Sequence, residues 1–172
     1  YIWMATGQGL TRFDGQELRS FTTADGLADD FVTTLLVSKS GSLWLGHNQG
    51  SMTIFDGMQS FSQLTLADSL DDKVVATVED GSGGIWVATQ RSGIFRVEGE
   101  SSVTHFTEGF SYAIVYDLYI DKENKVYVGT DDGLMVFEWD GNEGLSPVEG
   151  VENLEGTRVN VIVPRKFKKS LW

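Results

Sequence analysis

The sequence predicts an all-β fold, a β-propeller of four-stranded antiparallel blades, on three observations. The first is a short stretch of an aromatic flanked by apolar or small residues. It reads Ile2-Trp3-Met4-Ala5-Thr6, Leu43-Trp44-Leu45-Gly46-His47, Ile85-Trp86-Val87-Ala88-Thr89 and Val126-Tyr127-Val128-Gly129-Thr130, and Leu171-Trp172 begins a fifth copy. The second is its period: the aromatics stand at 3, 44, 86, 127 and 172, roughly 41 to 45 residues apart, a spacing typical of propellers or solenoids. The third is what lies between the copies. Each period holds four short strand-like runs joined by brief polar turns, and no segment shows helical periodicity. Radial repetition of such sheets leaves only short, protected edges.

In the first period, Tyr1 to Thr6 reads as a buried strand and Gly7-Gln8-Gly9 as a turn. Leu10 to Asp14 alternates as a half-buried strand does, and Asp14-Gly15 marks a hairpin. Glu17 to Thr22 is a third strand, with Leu18 and Phe21 expected to face the core. A loop opens at Asp25-Gly26-Leu27. Phe31 to Val37 is rich in β-branched and apolar residues, and Ser40-Gly41 turns it into the next Trp strand.

The second period runs through Ile54-Phe55-Asp56-Gly57, Phe61 to Leu66, Asp68-Ser69-Leu70 and Val74 to Val78. The third has Gly93 to Val97, Val103 to Phe106 and Ala113 to Ile120. The fourth carries Gly133 to Phe137 and is irregular from Asn142 to Gly156, with a last strand expected at about Arg158 to Val163. The whole chain, 1–172, is one propeller segment, with repeats at approximately 1–41, 42–83, 84–124 and 125–170. The recurring aromatic has a structural task as a plate between neighbouring sheets, where it buries roughly 150–250 Å².

The ends predict three complete blades, a head lacking its first strand and a tail holding one. Two closures fit. In a closed four-bladed ring, the tail strand would pair beside Tyr1 to Thr6. In the favoured reading the chain is an excerpt, about four blades' worth of a larger ring, with two sheet edges left open.

Composition bounds the function. The chain has 172 residues, 41% of them hydrophobic, with 20 Gly and 2 Pro, enough apolar material for a sizeable core and enough glycine for many tight turns. It has no Cys, which removes disulfides and thiolate metal sites. A formal net charge of −12 makes nucleic acid and anionic membranes poor partners. No apolar run reaches the ~18 residues of a membrane span.

The first period then shows a specific resemblance. Its pattern is Thr6…Gly9-Leu10…Phe13-Asp14-Gly15…Phe21-Thr22…Asp25-Gly26-Leu27…Val32…Leu35…Gly41-Ser42-Leu43-Trp44. This resembles the two-component regulator propeller repeat. Departures occur at Lys73, at Glu98-Gly99 and through 142–156. The resemblance implies a seven-bladed ring as the usual unit. It also implies a periplasmic or extracellular location in bacteria, and the sensor region of a hybrid two-component histidine kinase whose kinase domain lies outside this segment.

Candidate chemistry is thin. Gly7-Gln8-Gly9 and Gly81-Ser82-Gly83-Gly84 lack the strand-to-helix context of phosphate loops, and no nucleophile elbow occurs. Asp80, Asp121 and Glu123 lie in turns without the alternating oxygens of a Ca²⁺ loop. His47 and His105 are isolated. No catalytic residue, metal site or cofactor is therefore assigned.

Geometry places any binding function on the propeller face formed by the loops after the Trp strands and those entering each next blade. That face is expected to carry Gln8, Asp29, Asp30, His47, Asn48, Gln49, Asp71, Asp72, Gln90, Arg91, Tyr112, Asp131, Asp132 and Arg158. The ligand-binding candidates are Asn48, Gln49, Arg91, Tyr112, Asp131, Asp132 and Arg158, a polar set suited to a carbohydrate, with Tyr112 as a stacking surface. Three classes stay open: a sensor propeller relaying a ligand or a neighbouring partner domain, with dimerisation through the parent receptor; an interaction scaffold of a surface or secretion assembly; and a polysaccharide-active propeller enzyme, which would need paired carboxylates or a Tyr/His base in one cleft.

Overall fold

The structure, a computed structural model, describes residues 1–57, 60–68, 70–99, 101–142, 144–148, 154 and 156–164. The tail run Arg165 to Lys169, the Leu171-Trp172 start and Ser69 lie outside the described residues. Among the described residues, fifteen strands form four antiparallel sheets. The first contains β1 (Ile2–Thr6), β2 (Gly9–Phe13) and β3 (Leu18–Phe21). The second contains β4 (Val32–Val37), β5 (Leu43–His47), β6 (Ser51–Phe55) and β7 (Phe61–Thr65). The third contains β8 (Val74–Glu79), β9 (Ile85–Thr89), β10 (Ile94–Glu98) and β11 (Ser102–Phe106). The fourth contains β12 (Val115–Ile120), β13 (Lys125–Thr130), β14 (Gly133–Trp139) and β15 (Leu145–Pro147).

Within each sheet the strands pair in chain order, so the last strand of one sequence period pairs with the Trp strand of the next. Among the described residues, three sheets have four strands and the first has three. The expected tail strand is different. Its residues 158–163 form no ladder, although the Val159 amide bonds the Thr130 carbonyl at 2.9 Å, as the Val115 amide bonds Gln90 at 2.8 Å one blade earlier. The segment lies against the fourth blade, where the Ile162 amide also donates to Asp117 Oδ2 at 2.6 Å, and has no Trp strand beside it among the described residues. Nor does it pair with β1, whose ladder is with β2 alone.

The recurring aromatics share one register. Trp44 stands opposite Leu36 and Ile54, Trp86 opposite Val78 and Arg96, Tyr127 opposite Tyr119 and Val136, and Trp3 opposite Arg12. Trp44 and Trp86 are buried at 5% and 0% exposure. Trp3 and Tyr127 are only half-buried. Every residue of β5 and β9 is buried because a blade packs on each side, whereas among the described residues no blade covers one side of β1, which leaves Ile2 and Met4 exposed.

The core is divided into three inter-blade clusters. Leu10, Phe21, Leu27, Leu43, Leu45 and Phe55 fill the first, and Trp44, Met52, Val74, Val87, Phe95 and Val97 the second. Trp86, Phe106, Phe110, Val126, Val128 and Phe137 fill the third. There Trp86 stacks on Phe106 with ring centres 5.3 Å apart and meets Trp139 edge-on at 5.5 Å, geometries that add to plain area burial. Leu18, expected in the core, points to solvent at 67% exposure, because the alternation of β3 turns Phe21 inward instead.

Candidate functional site: the loop face

The face is built by one local device. In three blades a Thr ends the Trp strand and its hydroxyl donates to the carbonyl of the Gly three or four residues on: Thr6 to Gly9 at 2.7 Å, Thr89 to Gly93 at 3.0 Å and Thr130 to Gly133 at 3.0 Å. Gly9, Gly93 and Gly133 all have positive φ, which an L side chain adopts only with strain. The turn is thereby held close to the blade.

In the second blade His47 takes the Thr position. It is fully buried, so it does not line the face where the sequence reading put it. Its Nε2 lies 2.7 Å from Thr53 Oγ1, which accepts from the Ala28 amide at 2.9 Å, and among the described residues its Nδ1 has no hydrogen-bond partner. Burial holds the imidazole below its usual pKa, against the opposing pull of the Phe31 backbone, Asp29 and Asp30. Aligning His47 with Thr6, Thr89 and Thr130 was the sequence signal for its inward placement.

Most of the acidic candidates bond loop backbone. Asp72 Oδ2 accepts from the amides of Arg91 and Ser92, both at 2.7 Å. Asp131 accepts from Ile114 at 2.8 Å and Asp132 from Gly156 at 2.7 Å. Asp29 and Asp30 accept from Phe31 and Thr23. These carboxylates tie each entering loop to the turn beside it, a role sequence reasoning did not foresee.

Tyr112, Asp131 and Asp132 come together. They line an open groove of about 730 Å³ in the fourth blade, with Gly109, Ser111, Thr130 and Met135. Tyr112 is 99% exposed. The structure does not bring the other candidates into that groove. Asn48 and Gln49 are exposed on the β5–β6 turn, Arg91 is exposed on the β9–β10 turn, and the Arg158 guanidinium lies 5.5 Å from the Tyr116 ring centre. His105, on the outer strand β11, stacks on Phe95 at 3.9 Å, with Nε2 2.7 Å from the Ser92 carbonyl. Among the described residues no group of three or more His, Cys, Asp or Glu could hold a metal, and no helix is long and apolar enough to cross a membrane.

The opposite end carries a second polar constellation, which sequence reasoning missed. Asp80 is buried and accepts from Ser82 (amide 2.8 Å, hydroxyl 2.7 Å), the Gly84 amide (2.9 Å), Trp86 Nε1 (2.9 Å) and Arg96 Nε (2.9 Å). Burial works against its charge, yet the hydrogen bonds from Ser82, Trp86, Arg96 and Gly84 outweigh it and draw its pKa down to about 2. Arg96 also contacts Glu98, and its guanidinium carbon sits 4.1 Å from the centre of the Trp139 ring.

No family model and no curated relative matches the sequence. Solved structures do. One is the extracellular domain assigned to a hybrid two component system, BT4673, of B. thetaiotaomicron, with 20% identity and a TM-score of 0.71 over 93% of this chain and 22% of that one. Virginiamycin B lyase from Staphylococcus aureus matches with 12% identity and a TM-score of 0.70, over 87% of this chain and 52% of the lyase. The fold is a β-propeller. PorZ of Porphyromonas gingivalis, described as an essential bacterial surface component of the type-IX secretion system, matches at 18% identity and a TM-score of 0.57, over 83% of this chain and 25% of PorZ. The propeller segment thus spans about a fifth of the length of the BT4673 domain and about half that of the lyase. A second hybrid two component system extracellular domain, BT3049, also matches, at 19% identity and a TM-score of 0.63.

Proposed function

We propose that this chain is a non-catalytic segment of a bacterial extracytoplasmic sensor propeller of a two-component system, and that it offers its loop face to a ligand or a partner domain. The Tyr112 groove is the observation that carries the reading. A fully exposed aromatic ring stands beside Asp131 and Asp132, on loops whose backbone is pinned by those carboxylates. A solvated aromatic next to hydrogen-bonding groups suits a carbohydrate, which stacks an apolar ring face and bonds through its hydroxyls. The kinship in shape to extracellular sensor domains supports a periplasmic or extracellular setting. Signalling would travel as a rigid-body shift between propeller and neighbouring domains, because the second and third blades are locked by two packed faces.

The test is a reporter driven by the full-length receptor carrying Tyr112→Ala and Arg91→Ala. Loss of the response with unchanged protein level and melting temperature supports this face, and an intact response removes it. Turnover of glycans by the purified chain would overturn the non-catalytic reading. The likeness to PorZ favours the alternative of a scaffold in a surface assembly, which a receptor lacking any downstream kinase domain would select.

A further inference from the structure

One blade departs from the device that ends the Trp strands. Gly50, at φ 74°, follows His47 at the spacing at which Gly9 follows Thr6. The threonine hydroxyl is missing there, and the imidazole reaches across to the next strand instead. Its Nε2 lies 2.7 Å from Thr53 Oγ1, the oxygen that also holds the Ala28 amide at 2.9 Å. Ala28 belongs to the loop 22–31, which joins the first and second blades. A buried histidine is thus linked through one hydroxyl to the loop of a joint. That loop has a second tie to the second blade: Gln63 Nε2 on β7 donates to the Gly26 and Leu27 carbonyls at 3.2 and 3.3 Å. Leu27 itself is buried in the first core cluster.

The arrangement suits a neutral ring. Nε2 then accepts the Thr53 proton, and the bonds run in one direction from Ala28 through Thr53 to His47. Nδ1 has no hydrogen-bond partner among the described residues, and His47 and Thr53 are both fully buried. An imidazolium makes both nitrogens donors. Nε2 would then present a second N–H to the Thr53 oxygen and displace the hydroxyl proton from its acceptor. Two protons would be unmet where there was one, beside a buried charge, and a site closed to water tolerates neither well. The charged groups that act on the ring are Asp29 and Asp30. They favour a charge on it, but each already has an oxygen on an amide, of Phe31 at 2.9 Å and of Thr23 at 2.7 Å. The strands β1, β4, β6 and β7 and the β1–β2 and β5–β6 turns bring no titratable side chain.

We propose that His47 makes this joint a pH-sensitive latch, whose protonation releases residues 28–31 from the second blade while Leu27 stays anchored. The mechanism is linkage. Lifting 28–31 lets water reach the ring, which then takes a proton at its ordinary value of about 6.5. In the closed joint burial holds the ring below that value, so it takes the proton only in stronger acid. The proton therefore binds the open form more tightly. Opening is rare above about pH 6.5 and grows as pH falls, by up to about tenfold per pH unit, until the closed form titrates as well. Asp29, Asp30 and Phe31 lie on the released stretch, so acid reshapes the loop face at this joint. The joints of the third and fourth blades have Thr89 and Thr130 in the place of His47 and carry no such latch. The latch does not depend on what the Tyr112 groove binds.

The test follows amide hydrogen exchange by NMR in the full chain labelled with ¹⁵N, at steps across the titration of the ring, corrected for the intrinsic pH dependence of exchange. Protection of the Ala28 amide is expected to fall below about pH 6.5, by up to about tenfold per pH unit, and to level off at the midpoint of the ring's own titration. The Val115 amide, bonded to the Gln90 carbonyl at a joint without a histidine, should keep its protection. His47→Thr, which places the residue of the other blades there, should make the Ala28 response flat. A flat response at Ala28 in the wild type, an equal fall at Val115, or a fall that persists in His47→Thr would each overturn the proposal. If His47→Thr folds poorly, the wild-type curves decide: a fall at Ala28 that does not follow the titration of the His47 ring overturns it, and one that does supports it.

Discussion

Replacing Asp80 tests the inter-blade design most sharply. Its carboxylate is buried, bonds two hairpin amides, and holds both the Trp86 indole and the Arg96 guanidinium. Asp80→Asn keeps the shape but removes the charge opposite Arg96, a side chain only 5% exposed whose remaining acid, Glu98, is 62% exposed. Breaking one partner of a buried pair costs about 3–5 kcal/mol, because the other charge stays behind. The pH dependence gives an independent figure. A carboxyl at about 2 in the folded state, against about 3.9 unfolded, contributes about 2.5 kcal/mol at neutral pH. Since the folded pKa is the lower one, that contribution is complete above about pH 5 and disappears as pH falls towards 2. Urea unfolding followed by tryptophan fluorescence, at steps from pH 7 to pH 2.5, should show the wild-type advantage over Asp80→Asn shrinking steadily with acid. A gap below about 1 kcal/mol at pH 7, or one that stays constant with pH, would refute the pairing. Asp80→Asn combined with Arg96→Met should recover much of the loss, since removing both charges leaves none buried alone.

Other outcomes follow from the same packing. Trp86→Ala removes the ring stacked on Phe106 and edge-on to Trp139, and should cost about 3–5 kcal/mol in denaturant unfolding. Gly93→Ala would force positive φ (87°) on an L residue and drive its Cβ into the Phe106 carbonyl oxygen, so the melting temperature should drop by an amount equivalent to more than about 1 kcal/mol. Tyr112→Ala should leave stability within about 0.5 kcal/mol, as its side chain is in solvent; adding an Asp131 replacement should not, because that carboxylate holds the Ile114 amide. His47 should titrate below 6.5 by NMR. Its folded state resists the proton, so the stability it contributes is present above that value and falls as the solution is acidified through it.

The fold was legible because it is written in redundant form: four copies of one strand, each with its aromatic in the same register, overrule any ambiguity in a single copy. What escaped was what depends on pairs far apart in sequence. Arg96 looks like an ordinary polar position of β10 until Asp80, sixteen residues earlier, and Trp139, from the next blade, close over it. Asp72, Asp131 and Asp132 looked like solvated ligand groups, yet each bonds an amide 17 to 24 residues away, and no local pattern announces that. Leu18 was misplaced by counting apolar residues instead of following the alternation from Phe21. The tail strand failed for a different reason: a strand is defined by its neighbour, and for residues 158–163 none of the described residues supplies one.

That dependence on a neighbour also explains where the molecule is vulnerable. Each four-stranded sheet borrows its inner strand from the preceding sequence period, so the loops that link periods (22–31, 66–73 and 107–114) are also the joints between blades. These loops carry the carboxylate-to-amide bonds of the face: Thr23 to Asp30, Arg91 and Ser92 to Asp72, and Ile114 to Asp131. A ligand bound on the face would therefore push on the joints, while the second and third blades, whose Trp strands are buried on both sides, would move as blocks. Charge-neutral variants at these carboxylates, such as Asp72→Asn, should loosen one joint without unfolding the blades beside it. Hydrogen exchange should then quicken at Arg91 and Ser92 and stay slow along β5 and β9. Equal quickening across whole sheets would mean that the blades do not behave as separate rigid blocks.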